Sequence, residues 1–316
     1  MAWHRGGWNM AVNRKNKFRL KPAHWFCIAG LVPILILYGY LRFIPIIKTM
    51  YISFFEWDLV SDKKPFVGFE NFITLFQSEA FLISLKNTSI IAFGILIFSV
   101  PSALLIAYLL SKGVRFKAWY EAFYFLPVIT PMVPVAVTWK WILDSNHGLL
   151  NYFLSFIGIP KQAWLFDPKL AIVSVIMLTV WKTIGYNMII FLVGITGIPK
   201  DNYEAASIDG ATGAKAFWYI TLPLLKPITA FVSIITIIHG YNVFSQIYIL
   251  ASDIQGSPGY VVRVLVYDMI ENAFRYYKMG YASAEAFILF FIVLILTLIQ
   301  LWLAREKNSS KKGLKL

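Results

Sequence analysis

Two sets of polar side chains stand at helical spacing inside otherwise apolar sequence. Thr179, Thr183 and Tyr186 recur at i, i+4 and i+7, and His239, Asn242 and Gln246 at i, i+3 and i+7, so each set forms one stripe on a helix. Hydroxyl, amide and imidazole groups with a tyrosine ring among them could hold a polar solute by hydrogen bonds and stacking. The same groups could instead tie neighbouring helices together, a common use of Thr, Asn and Gln in lipid. Either way they are costly against hydrocarbon and must turn toward protein or a water-filled space. Lys182 and Asn187 read as lying on other faces of the first helix, with Lys182 meeting a carbonyl or a neighbouring chain.

Signs of catalysis are missing. His4, His24, His147 and His239 are too scattered for a metal site, and neither HExxH nor GxSxG occurs. The stretch Gly210-Ala211-Thr212-Gly213-Ala214-Lys215 is glycine-rich but lacks the GxxxxGK[ST] spacing whose amides grip ATP phosphates. Glu121 and Glu285 stand singly. The one cysteine, Cys27, can make no internal disulfide and reads as a small packing residue. No catalytic residue, metal or cofactor is expected on this chain.

Composition says what solvent these helices need. Of the 316 residues, 59% are hydrophobic and only 14% charged, with a mean hydropathy of +0.66. Soluble domains carry about 25% charged residues, so a soluble enzyme, a disordered chain and a disulfide scaffold are excluded. About 20 apolar residues cross a bilayer, and six segments qualify, roughly 25–52, 88–110, 119–143, 170–194, 222–250 and 281–304. The first has too long an apolar stretch for a cleaved leader and reads as a retained anchor. The expected fold is an all-α membrane protein of six transmembrane helices. A basic arm precedes it at 1–24, the spans occupy 25–304, and a basic tail follows at 305–316.

The net charge of +13 would suggest nucleic acid, but its distribution follows membrane topology instead. The arm, the second-to-third and fourth-to-fifth loops and the tail carry sixteen Lys and Arg, against eight in the longer loops opposite. Both termini are therefore expected in the cytoplasm, with the chain multi-pass in its membrane. Trp139 and Trp141, beside Lys140, read as interface anchors. The outer loop 53–87 holds a turn at Gly68 and a short helix with Phe72, Leu75 and Phe76 on one face. The outer loop 251–280 opens with the turn Gly256-Ser257-Pro258-Gly259 and continues as a surface helix, Val261 to Tyr277.

The cytoplasmic loop 197–223 is the most patterned segment. Pro199 stops the preceding span, Asp201 or Asn202 can cap a short helix, and Gly210 can end it at positive φ. A second turn leads to Pro223 at the next membrane crossing, leaving Tyr203 and Ile208 open to a partner. As physics alone, this could be a well-capped loop and nothing more.

Glu204-Ala205-Ala206, Gly210, Ile220, Leu222 and Pro223 reproduce the pattern EAA-x3-G-x9-I-x-LP without departure. This resembles the cytoplasmic signature of permease subunits of binding-protein-dependent ABC importers. Ile208-Asp209-Gly210-Ala211 resembles the carbohydrate-uptake branch, which includes maltose, glycerol-phosphate and oligosaccharide permeases. Gly68-Phe69-Glu70-Asn71, Gly148-Leu149-Leu150-Asn151 and Met279-Gly280-Tyr281-Ala282 are similar to further segments of that family; the basic arm and tail are not covered.

The resemblance implies that the loop is a coupling helix between the fourth and fifth spans, with Glu204, Ala205, Ala206, Asp209, Gly210, Gly213, Ile220, Leu222 and Pro223 at the contact with a cytoplasmic ATPase. ATP and Mg would be bound by that ATPase and not by this chain. It also implies a second homologous permease subunit, two ATPase copies, an extracytoplasmic solute-binding protein delivering a carbohydrate, and alternating access. Nucleic acid is not an implied partner. Substrate contacts would fall on the fourth and fifth spans, at Tyr186, Asn242, Thr183 and His239, with Gln246 nearer the outer surface. Two other readings stay open: the same machinery carrying a glycerol-phosphate ester or acidic oligosaccharide, and an ion-coupled secondary carrier. The carrier would want ionisable groups at the midplane.

Overall fold

Proline and glycine decide where this apolar chain bends. The structure, a computed structural model, describes residues 22–60, 63–250 and 262–304. The basic arm up to residue 21, the tail 305–316 and the turn at 256–259 lie outside the described residues. The chain divides into two units, Met1–Lys48 and Thr49–Leu316. In the first lie helix α1 (Pro22–Tyr38) and a π-helical segment (Gly39–Phe43), and α2 (Ile44–Ile52) continues from it. The described side chains of α1 are exposed and almost all apolar, as lipid contact requires.

The second unit contains α3 (Glu70–Gln77), α4 (Glu79–Ser111), α5 (Lys117–Ile129), α6 (Met132–Ile142), α7 (Leu149–Ser155) and α8 (Pro168–Thr196). After these come α9 (Lys200–Ile208), α10 (Ala214–Ala216), a π-helical segment (Phe217–Thr221), α11 (Leu222–Leu224), α12 (Lys226–Tyr241), α13 (Ser245–Leu250), α14 (Leu265–Phe274) and α15 (Met279–Ala304). No strand forms among the described residues, which carry only isolated bridges such as Phe55 with Phe66. Trp25–Ile52, α4, α8 and α15 are each long and apolar enough to cross a membrane. The count reaches six if the bent pairs α5 with α6 and α10–α11 with α12 are each one span.

Two segments expected as continuous helices are therefore broken. The 119–143 segment bends by 101° between α5 and α6, because Pro131 has no N–H and pushes Thr130 into extended backbone. The 222–250 segment is three helices. Its first bend, 69°, lies between Leu224 and Lys226, and α12 ends at Tyr241, four residues before α13 begins. The segment expected at 88–110 starts earlier, at Glu79, where the Ser78 hydroxyl accepts from the amide of Phe81. With 33 residues, α4 is roughly 50 Å long.

α4 and α8 form the central pair, and α12 packs on α4. Lipid is as apolar as leucine, so association rests on close packing and on hydrogen bonds. Gly185 meets this requirement on α8: a Cβ there would collide with the backbone carbonyl of Tyr124 on α5. One core layer holds Ile91, Ile95, Leu143, Leu178 and Ile247. A second, toward the 197–223 loop, holds Leu104, Phe191, Leu225 and Val232.

The outer helices are less superficial than expected. In α3, Leu75 is buried and Phe72 half-buried against Phe287, whereas Phe76 is exposed with only its ring edge on Phe81. The Asn71 amide fixes α3 by donating to the carbonyls of Ser53 (2.9 Å) and Phe55 (3.0 Å). α14 buries Leu265, Asp268, Glu271 and Ala273, so the expected surface helix is partly a core element. Arg263 binds Asp268 (2.6 Å) and Glu271 (2.7 Å), and Glu271 also accepts from Arg275 at 2.6 Å. That bond and the nearby carboxylate hold the Arg275 guanidinium above its ordinary pKa. Asn87 donates to the Arg263 carbonyl (3.1 Å) and Thr88 accepts from Leu265 N (2.9 Å), which ties the cluster to α4. Glu285, expected to stand alone, accepts from Asn272 at 3.0 Å.

Candidate functional site

The two polar stripes meet. A cavity of about 450 Å³ lies between α5, α6, α8, α12 and α13, lined by Thr179, Lys182, Thr183, Tyr186, Asn187, Thr236, His239 and Gln246, with Val128, Met132 and Ile235. Its α8 residues sit about halfway along that helix. Of the expected substrate contacts, Tyr186, Thr183 and His239 line it. Asn242 does not: its side chain donates to the carbonyl of Ile238 at 2.7 Å and closes the end of α12. Gln246, read as too near the outer surface, is on the wall. Lys182 and Asn187, read as facing elsewhere, are there too. The spacing held the signal, since Lys182 is three residues from Thr179 and four from Tyr186.

Part of the wall is interhelical glue. Asn187 donates to Ser99 (3.0 Å) and to Thr236 (3.2 Å), joining α8 to α4 and α12. Thr183 donates to the Thr179 carbonyl (2.8 Å), which leaves Ser99 as donor in the 3.1 Å contact with the Thr183 oxygen. Among the described residues, Tyr186, His239 and Gln246 have no side-chain hydrogen-bond partner. They present a ring hydroxyl, an imidazole and an amide to the cavity. Both uses read from the sequence thus occur side by side.

Lys182 does a separate job. A helical residue 131 would donate to the carbonyl of residue 127, but Pro131 cannot. The Lys182 ammonium donates to Pro127 O (2.9 Å) and to Thr130 O (2.6 Å). A cation therefore sits at the negative end of α5, where the dipole favours it. The sequence suggested a carbonyl partner without revealing which; the missing N–H of Pro131 was the available signal.

At the other end of α8 the 197–223 loop folds as a short projection. Pro199, not Asp201 or Asn202, takes the position before α9, and Asp201 sits in the first turn, where its charge suits the helix dipole. α9 closes on Gly210 with φ +75°. Ala211 N donates to Ala206 O (2.8 Å) and Gly210 N to Ser207 O (3.1 Å), the paired bonds of a Schellman ending. Ala206 is buried, and Tyr203 turns inward with its hydroxyl 3.0 Å from Thr221 Oγ1; Tyr203 is thus less available to a partner than expected. Glu204, Ala205, Asp209 and Gly210 are exposed, and Ile208 is 87% exposed. Gly213 has φ +56° and its carbonyl accepts from Tyr108 of α4 at 3.1 Å. Ile220 and Leu222 are half-buried, Leu222 against the second core layer, and Pro223 is exposed in α11.

Among the described residues no cluster of three His, Cys, Asp or Glu side chains could hold a metal ion.

Residues 95–308, which include this loop and both polar stripes, match the family described as binding-protein-dependent transport system inner membrane component. The chain belongs to this family. A probable ABC transporter permease protein of Bacillus subtilis, YurN, is 33% identical over 90% of this chain and 96% of its own. The arabinooligosaccharides transport system permease protein AraP of the same organism is 33% identical over 82% of each chain. A chain of the bacterial alginate ABC transporter, solved in complex with an alginate pentasaccharide-bound periplasmic protein, superposes with a TM-score of 0.77. It is 26% identical, with 90% of this chain and 95% of that one covered. With these relatives the chain is a permease of the sugar-transporting kind, and its long apolar helices fit a multi-pass membrane protein.

Proposed function

We propose that this chain forms half of the translocation pore of an ATP-driven carbohydrate importer. The observation that carries the reading is the cavity where Tyr186, Thr183 and His239 converge, in a chain whose exposed α9 loop has the family's signature residues. Six spans follow if each bent pair is one crossing, and the Lys and Arg distribution puts both termini in the cytoplasm of a prokaryotic inner membrane. Glu204, Ala205, Ala206, Asp209, Gly210, Gly213, Ile220, Leu222 and Pro223 then form or support the coupling surface for a separate ATPase subunit, which holds ATP and Mg. Broken helices around a cavity at mid-depth are the usual setting of alternating access. ATP supplies the bias because it favours one state of the ATPase pair, without touching the sugar.

A second permease chain completes the pore, two ATPase copies dock beneath, and an extracytoplasmic binding protein delivers substrate, as the solved alginate complex supports. Asn242 caps the end of α12, before α13 begins. A phosphate ester or acidic oligosaccharide is the second reading, favoured by Lys182 on the wall, although two of its three N–H bonds are already given to carbonyls. No carboxylate lines the cavity among the described residues, which disfavours an ion-coupled carrier. The test is to solubilise the chain from its native membrane and identify what co-purifies. A second permease and an ATPase are expected. A chain that comes alone and transports sugar in liposomes without ATP would overturn the proposal.

A further inference from the structure

Three carboxyl groups come together where α14 packs on the start of α15, and among the described residues two guanidinium groups face them. Arg263 Nε donates to Asp268 Oδ1 at 2.6 Å, and its Nη2 lies 2.7 Å from Glu271 Oε2. Arg275 donates to the other Glu271 oxygen at 2.6 Å. Asp268 and Glu271 therefore each bond a cation. Glu285 bonds a neutral group instead: its Oε1 accepts from the side-chain amide of Asn272 at 3.0 Å.

Solvent does not supply what is missing. Asp268 and Glu285 are each 1% exposed. α15 begins at Met279, so Glu285 sits about 9 Å along that helix. An ionised carboxylate buried there without a cation of its own is among the costliest arrangements in a protein.

Two oxygens of the cluster, Asp268 Oδ2 and Glu285 Oε2, are buried with no donor. The two carboxyl groups that own them lie within hydrogen-bonding reach of each other. Carboxylate oxygens only accept, so such a contact needs a proton on one of them, and two like charges this close do not both ionise. A proton on Glu285 satisfies both oxygens at once, because Asp268 already has its cation. Among the described residues no three His, Cys, Asp or Glu side chains are placed to hold a metal ion.

The remaining titratable groups around the contact do not change this count. Tyr267 of α14 and Tyr281 of α15 stand beside the cluster and are uncharged at neutral pH. Glu70 of α3, Glu79 and Lys86 of α4, and Lys278 are exposed. From α12 comes Tyr241, whose hydroxyl lies 3.1 Å from Ser89 Oγ.

We infer that Glu285 and Asp268 share one proton, which fastens α14 to α15, so that this join weakens as pH rises. The site is separate from the cavity, which neither residue lines, and does not depend on what the chain transports. In the unfolded chain both groups ionise at about pH 4. Above that value the folded chain holds one proton more than the unfolded chain. The stabilisation is thus complete below about pH 4 and shrinks about tenfold per pH unit above it, until the pair releases its proton.

Two measurements on the full chain in detergent test this. Infrared spectra at about pH 7, where ordinary carboxyls are ionised, should show the carbonyl stretch of an un-ionised carboxylic acid. Glu285→Gln should remove that band, whereas Glu79→Gln, at an exposed carboxyl, should keep it. The glutamine amide can donate to Asp268 and accept from Asn272, so the variant should fold. Denaturant unfolding in mixed micelles between about pH 5 and about 7, above the ordinary carboxyl range, is the second measurement. Per pH unit, the folded-to-unfolded ratio of the parent should fall about tenfold more than that of Glu285→Gln. A parent spectrum without the acid band, or a band that survives Glu285→Gln, would overturn the shared proton. Equal pH slopes in the parent and the glutamine variant would overturn its hold on α14.

Discussion

The Lys182 ammonium lies 2.9 Å from the carbonyl of Pro127, the acceptor that a helical residue 131 would have bonded had it not been proline. One side chain from α8 thus caps the break between α5 and α6 while forming part of the cavity wall. The break exposes two carbonyls at membrane depth, where unpartnered backbone is not tolerated in lipid. The bonds tie the end of α5 to α8, so the 101° elbow and the cavity wall share one side chain, Lys182.

Lys182→Met keeps most of the side-chain length and removes the donors. Each carbonyl left without a partner costs about 1–3 kcal/mol, so the unfolding midpoint of the purified complex should drop, and ATP-driven uptake should fall at least tenfold. Lys182→Arg should recover much of both, since a guanidinium can serve two carbonyls. Thermal unfolding in detergent and liposome uptake check this. A methionine variant with the stability and uptake of the parent would show that water does the capping.

The approach of α8 to α5 depends on Gly185. In Gly185→Ala the new methyl meets the Tyr124 carbonyl, which belongs to backbone and cannot rotate away. Overpacking of this kind costs about 1–3 kcal/mol, and the expected result is a lower unfolding midpoint with a displaced α5. Cross-linking of cysteines introduced on the facing sides of α5 and α8 would detect the displacement. An unchanged cross-linking pattern would mean that α5 yields without cost.

Much of this was legible in the sequence, for identifiable reasons. The rough positions of the long apolar helices follow from apolar length, which lipid enforces, while the expected six crossings are reached only if each bent pair is one span. The ending of α9 followed from Gly210, because only a residue at ease with positive φ closes a helix that way. The failures lie where tertiary geometry outweighs local pattern. Pro131 sits inside an apolar run long enough to be one helix, and its effect shows only as a bend. Asn242 falls on the same helical stripe as His239, but the stripe ends with α12, and past that end the 3.6-residue period no longer says where a side chain points. Lys182 was assigned to another face of the helix, although its spacing put it with Thr179 and Tyr186. Asp268 and Glu271 of α14 are buried because Arg263, from just before that helix, neutralises them, a pairing no periodicity announces.

The α9 loop makes a separable prediction. Glu204→Lys reverses an exposed charge on a helix held by backbone bonds, so the chain should stay folded and in the membrane while co-purification with the ATPase falls at least tenfold. Gly210→Val forces a β-branched residue into φ +75°, at a cost of about 1–2 kcal/mol or more, and should weaken the same association by deforming the loop. Gly210→Asn, which tolerates that conformation, should retain most of it. Quantitative pull-down with the ATPase is the measurement, and full association of the Glu204→Lys variant would remove the coupling role.

The inner cavity allows the two uses of polar groups to be told apart. Among the described residues Tyr186 and His239 have no side-chain hydrogen-bond partner, whereas Asn187 bonds Ser99 and Thr236 at 3.0 and 3.2 Å. Tyr186→Phe and His239→Ala should therefore leave the unfolding midpoint of the complex nearly unchanged and lower uptake at least fivefold, because they remove groups aimed at solute. Asn187→Leu should do the reverse in order of size, since it strands the Ser99 and Thr236 hydroxyls and loosens α8 from α4 and α12. Asn242→Ala should cost less uptake than His239→Ala, because its amide closes the end of α12 and does not line the space. Paired uptake and thermal measurements on the four variants check this. Equal loss of stability in all four would mean that the cavity is packing throughout and holds no solute.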